Sequence, residues 1–141
     1  MLQARVERIA QAVADEEFRA KGGKGVTHPY RYQLLLLTVR GKRSGRDITI
    51  PLAYRMDGDR YVVAATKGGS PTHPDWYHNL VAHPDVTVEV GSETFRARAT
   101  PIARGPERDR LYEEHSRQMP GFGDYPKKTK RVIPVVLLER V

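Results

Sequence analysis

The chain has 141 residues, 39% of them hydrophobic, enough for one core that buries about two thirds of the unfolded surface. It contains no cysteine, which excludes disulfides, thiolate metal sites and thiol catalysis, and it has neither an apolar run long enough to span a membrane nor a secretory leader, so the expected location is cytoplasmic. Its 24 Lys and Arg against 17 Asp and Glu leave +7, a balance that favours anionic partners: nucleic acid, anionic lipid or a polyanionic cofactor.

Leu2, Val6, Ile9, Ala10, Val13, Ala14 and Phe18 recur at spacings of three and four, which predicts an amphipathic helix over 2–20. The glycines of Lys21-Gly22-Gly23-Lys24-Gly25 end it, so residues 1–25 read as a helix and linker and residues 26–141 as one sheet domain. Arg5, Arg8, Arg19 and Lys21 flank the apolar face, which either covers the sheet or makes peripheral contact with an anionic membrane. Leu34–Val39 and Ile48–Met56 predict a hairpin across a polar turn, and Asp57-Gly58-Asp59 connects tightly to a buried strand, Arg60–Thr66. Pro74 opens a short helix to Ala82; Asp85–Val90 and Glu93–Ile102 form a second hairpin around Gly91-Ser92; Pro106 opens a helix to Gln118. Val132–Leu138 closes the chain as a strand, with Pro134 at its beginning or marking a sheet edge. Short turns between successive strands leave no room for crossover helices, so the fold expected is mainly β with flanking α, an antiparallel sheet or small barrel.

The turn Gly41-Lys42-Arg43-Ser44-Gly45-Arg46 combines cations, a hydroxyl and permissive glycines, a set that suits phosphate; a solvated hairpin tip is the plain alternative. It lacks the spacing of a P-loop, and Arg43 occupies the position where a nucleophile elbow has serine. Ala64-Ala65-Thr66-Lys67-Gly68-Gly69 ends a strand with small residues beside which a planar ligand can lie, and Lys67 adds a cation there. Asp75-Trp76-Tyr77-His78-Asn79 gathers aromatic and amide groups on one helix, with Trp76 also suited to core packing. His73, His78 and His83 are five residues apart and cannot converge from one helix, so no metal is expected.

Taken in order, Gly41-Lys42-Arg43-Ser44-Gly45, Pro51-Leu52, Asp57-Gly58-Asp59, Thr66-Lys67-Gly68-Gly69, His73-Pro74-Asp75-Trp76-Tyr77-His78-Asn79-Leu80 and Ile133-Pro134-Val135-Val136 resemble the deazaflavin-dependent nitroreductase family. The resemblance implies a split β-barrel of the flavin-reductase or FMN-binding kind that binds the 8-hydroxy-5-deazaflavin coenzyme F420. By that resemblance Lys42, Arg43 and Ser44 hold the coenzyme phosphate, and Ile48, Thr49, Ile50, Pro51, Leu52 and Ala53 line the deazaflavin. Ala64, Ala65, Thr66 and Lys67 border the ring, Asp75, Trp76, Tyr77, His78 and Asn79 close over it, and Phe122 adds an aromatic contact. Family members often carry Arg where this chain has Ile48, a contact that is absent here or supplied by Arg46. In Met119-Pro120-Gly121-Phe122-Gly123-Asp124-Tyr125 only Tyr125 keeps a phenol, making it the candidate proton donor and placing nitroimidazole reduction in question. The implied reaction is hydride transfer to a quinone, activated alkene or nitro compound by a monomer or homodimer. The rivals are an FMN-binding barrel and, further off, a basic nucleic-acid-binding module.

Overall fold

The computed structural model describes residues 33–141. The predicted helix over 2–20, its glycine linker and the membrane contact read from them lie outside those residues. Seven strands form one sheet: β1 (Leu34–Arg40), β2 (Asp47–Ala53), β3 (Arg55–Asp57), β4 (Arg60–Ala64), β5 (Asp85–Val90), β6 (Glu93–Ile102) and β7 (Val135–Arg140). Two α-helices, α1 (Asp75–Ala82) and α2 (Pro106–Gln118), accompany them, with 3-10 segments at Lys67–Gly69 and Pro120–Lys127.

Every pairing is antiparallel, in the order β2-β1-β5-β6-β7-β4-β3. The outermost strands, β2 and β3, are neighbours in sequence with only Tyr54 between them. One residue cannot span the width of a flat seven-stranded sheet, at about 4.8 Å per strand, so the sheet must curl until its edges meet. This is the barrel expected from the sequence, reached with one correction. The single strand read over Ile48–Met56 is two strands, which pair with β1 and β4 respectively. Of the two readings of Pro134, the strand's beginning holds: it lies just before β7, an interior strand, and its carbonyl accepts the Ala65 N–H at 3.0 Å.

Alternation along the strands builds two apolar cores. Leu35, Leu37 and Val39 of β1, Val63 of β4, Val86 and Val88 of β5, Ala97 and Ala99 of β6, and Val136 and Leu138 of β7 face inward, with Tyr77 and Leu80 of α1 among them. The alternate residues Val62, Ala64, Val135 and Leu137 face outward and pack against Ile133 and against Leu111 and Tyr112 of α2. The continuous aliphatic reading of β1 follows from burial on both sides, since Leu36 between the inward residues is also fully buried. Each such leucine contributes about 1.5–3 kcal/mol through burial. The two-residue connections Gly58-Asp59 and Gly91-Ser92 have glycine at φ 65° and 57°, in the left-handed region these tight hairpins require.

Two polar residues are buried under α2. Arg55 donates from Nη2 to the Leu111 carbonyl at 2.7 Å and pairs with Glu114 at 3.5 Å. His115 is fully buried between Phe122, whose ring meets it edge-on at 4.5 Å, and Tyr112 at 6.5 Å. Neither imidazole nitrogen has a hydrogen-bond partner among the described residues, and burial together with the Arg55 charge pushes the His115 pKa down to about 3. Tyr112 donates its hydroxyl to the Phe122 carbonyl at 2.7 Å, and burial raises that phenol to about 12.

Candidate functional site

The β1–β2 turn is shaped by its own backbone. Gly41 N–H donates to the Arg46 carbonyl at 2.8 Å, Gly45 N–H to the Gly41 carbonyl at 3.0 Å, and Arg46 N–H to Ser44 Oγ at 3.2 Å. Gly45 adopts φ 70°, and a side chain at Gly41 would overlap Ser44 Oγ and crowd the Arg46 carbonyl. Ser44 thus accepts one bond within the turn and keeps its O–H to donate. Lys42, Arg43 and Arg46 are exposed and make no ion pair among the described residues.

α1 stands across from this turn. It is seated by Tyr77 and Leu80 in the barrel core, which leaves Asp75, His78 and Asn79 on the side of the turn. Asn79 Oδ1 accepts the Lys42 N–H at 3.0 Å and ties the two elements together. Between them lies an open cleft of about 600 Å³ lined by Gly41, Lys42, Arg43, Ser44 and Ile48 on one side and Asp75, His78 and Asn79 on the other. The expected phosphate turn and the expected closing helix therefore meet. Replacing Asn79 with Ala is expected to cost about 0.5–1 kcal/mol by exchanging its bond to the exposed Lys42 N–H for water, read as a lower urea midpoint, and to weaken ligand binding in the cleft.

Other candidates sit elsewhere. Thr49–Ala53 are half-buried along β2, with Thr49 Oγ1 bonded to Thr38 Oγ1 at 2.8 Å and Ile50 and Leu52 packed on the barrel core. Ala64 belongs to the core under α2 and Ala65 to the barrel core, so their side chains face apolar neighbours and not the cleft. Lys67, in the left-handed region at φ 46°, donates to Thr72 Oγ1 at 3.1 Å within its own loop. Trp76 packs on the barrel core, and Tyr77 is buried there with its phenol pKa raised by burial. Phe122 and Tyr125 meet edge-on at 5.5 Å and pack against the core under α2, with the Lys128 ammonium 5.7 Å above the Tyr125 ring. Neither lines the cleft.

Sequence reasoning missed Arg131. Its guanidinium donates from Nε to the Ser70 carbonyl at 2.8 Å and from Nη2 to the carbonyls of Thr66 at 2.7 Å and Ala65 at 3.1 Å. Nη1 meets His73 Nδ1 at 2.8 Å. A lone arginine in the basic run Lys127 to Arg131 gives no local sign of this, because its partners are 58 to 66 residues away.

A family model described as F420H(2)-dependent quinone reductase matches residues 10–140. The chain is similar to the F420H(2)-dependent quinone reductase Rv1261c of Mycobacterium tuberculosis, at 37% identity over 129 residues that cover 89% of this chain and 87% of that one. Among solved structures it resembles an F420-H2 dependent reductase, FDR-A, with a TM-score of 0.69 and 33% identity, covering 76% of this chain and 94% of that one. A second, described as a domain-swapped dimer, has a TM-score of 0.69 and 31% identity over 97% of this chain and 96% of that one. The split barrel described above is the fold of these solved relatives. The chain belongs to the F420H(2)-dependent quinone reductase family.

Proposed function

We propose that the chain binds coenzyme F420 with its phosphate on Lys42, Arg43 and Ser44 and passes a hydride from the reduced coenzyme to a quinone-type acceptor. The observation that carries the reading is the cleft itself. Cations without ion pairs among the described residues, a hydroxyl donor and the pinched Gly41 backbone face a helix that supplies an amide, an imidazole and a carboxylate. That donor set fits an anionic group at one end and a hydroxylated or heterocyclic group at the other.

The coenzyme supplies the hydride, so no protein nucleophile is needed. The protein's part is to bind and orient. Lys42 and Arg43 anchor the charged end, Asn79 holds the turn against α1, and Ile48 gives the cleft an apolar side wall. Tyr125 packs away from this cleft, whose own lining offers Lys42, Ser44, Asp75 and His78 as exchangeable groups for the proton that follows the hydride. Quinones, activated alkenes and nitro compounds remain acceptor classes that differ in reactivity rather than in the charge they present. The domain-swapped relative supports a homodimer over a monomer, which light scattering on the purified chain checks.

Titration with oxidised and reduced coenzyme F420, with FMN in parallel, tests the reading. Saturable deazaflavin binding and oxidation of the reduced coenzyme by a quinone are expected. Retention of FMN without deazaflavin binding would overturn it.

A further inference from the structure

We propose that Arg131 is a positioning residue for this site: it fixes His73 in one tautomer and, through it, seats α1 against the cleft. The His73 half stands on geometry alone, while the effect on ligand binding rests on the coenzyme reading above.

A guanidinium has five N–H donors and no acceptor. The 2.8 Å contact between Arg131 Nη1 and His73 Nδ1 therefore has one arrangement, with the lone pair on Nδ1 and the imidazole proton on Nε2. The other donors of Arg131 go to the carbonyls of Ala65, Thr66 and Ser70, so its position is fixed by neutral acceptors, with no carboxylate pairing it among the described residues. Among the described residues, the groups facing His73 are Arg131 from the segment before β7 and Tyr77 and His78 from α1. None offers a negative charge to favour the imidazolium, and burial, the Arg131 charge and His78 all lower the His73 pKa.

His73 stands at the threshold of α1. The next residue, Pro74, is buried and its carbonyl accepts the Tyr77 N–H at 3.1 Å in the first helical turn. The His73 ring lies 5.0 Å from the Tyr77 ring and 5.8 Å from that of His78, which lines the cleft. Contact thus runs from Arg131 through His73 and His78 to the helix face that holds Lys42 through Asn79. The same guanidinium also holds the loop after β4, with Gly69 at φ 81° and so close to Lys128 that an added Cβ would sit 2.8 Å from the Lys128 Cβ. A lysine keeps the charge of Arg131 and loses the fork that reaches all four partners.

The test is imidazole ¹⁵N NMR on the full chain without ligand, together with coenzyme F420 affinity. The wild type is expected to show a neutral His73 protonated on Nε2 at pH 7. In Arg131→Lys that signature becomes a tautomer mixture, and affinity falls about tenfold as α1 loses its fixed seat. A purely packing role would not move the His73 spectrum. His73→Asn, which places an acceptor oxygen near the Nδ1 position, retains wild-type affinity, whereas His73→Leu loses about tenfold, and this pair decides the point should the Arg131 variant fail to fold. A wild-type His73 protonated on Nδ1, an Arg131→Lys spectrum or affinity like the wild type, or equal affinities for the two His73 variants would overturn the proposal. A wild type that does not bind the coenzyme would sink the proposed function instead, and the spectrum alone would then decide His73.

Discussion

The double variant Lys42→Ala, Arg43→Ala is expected to bind coenzyme F420 about 100-fold more weakly than the wild type while unfolding at the same urea concentration. Hydrogen bonds to charged groups contribute about 1.5–3 kcal/mol each, and exposure of both side chains brings each to the lower end, near the 1.4 kcal/mol of a tenfold change. Stability is spared because neither side chain makes an ion pair with the rest of the described chain. The shape of the cleft is also spared, since the bond from position 42 to Asn79 comes from the backbone and survives truncation. Salt separates this effect from a packing defect: wild-type affinity should fall with ionic strength, and that of the variant, which keeps Arg46 in the turn, should fall less steeply. Fluorescence titration at two salt concentrations measures both. An unchanged affinity would mean that the phosphate sits elsewhere.

The second large effect is on stability and comes from His115. Its folded pKa near 3 lies below the ordinary histidine value of about 6.5, so between those limits the unfolded chain binds the extra proton. The stabilisation from keeping His115 neutral is complete above about pH 6.5 and is lost as pH falls toward 3. Between pH 7 and pH 5 the loss amounts to about 2 kcal/mol, visible as a falling urea midpoint. His115→Leu, similar in volume and free of ring nitrogens, should remove this contribution to the pH dependence and raise stability at pH 7 by about 1 kcal/mol, because two buried nitrogens without partners disappear. A variant whose pH profile parallels that of the wild type would show that acid stability is governed elsewhere.

What the sequence conveyed was local. The hairpins β1–β2 and β5–β6 and helix α2 were legible because alternation, turn glycines and a helix-opening proline act within a few residues. The run from Ile48 to Met56 could not reveal its change of partner at Tyr54, since the same apolar alternation serves either pairing. The site divides in the same way. The basic turn is a contiguous motif, whereas its tie to α1 through Asn79 spans 37 residues and has no local sign. Ala64 and Ala65 read as room for a ring because they are small, and in the fold their side chains pack on two sides of one strand end. Arg55, His115 and Arg131 were invisible because each acquires its meaning from distant partners.

The join at Tyr54 also constrains how this barrel can be assembled. Hairpins β1–β2, β3–β4 and β5–β6 pair residues close in sequence and can form alone. The seams β1–β5, β6–β7 and β4–β7 bring together residues 33 to 77 positions apart, and each must close against chain entropy. Because Tyr54 tethers the first two hairpins, seating one of them positions the other at the opposite rim, and the ring is completed only when β7 enters between β6 and β4. The final strand of the chain is therefore its keystone, so the barrel cannot be complete until residues 135–140 have been synthesised.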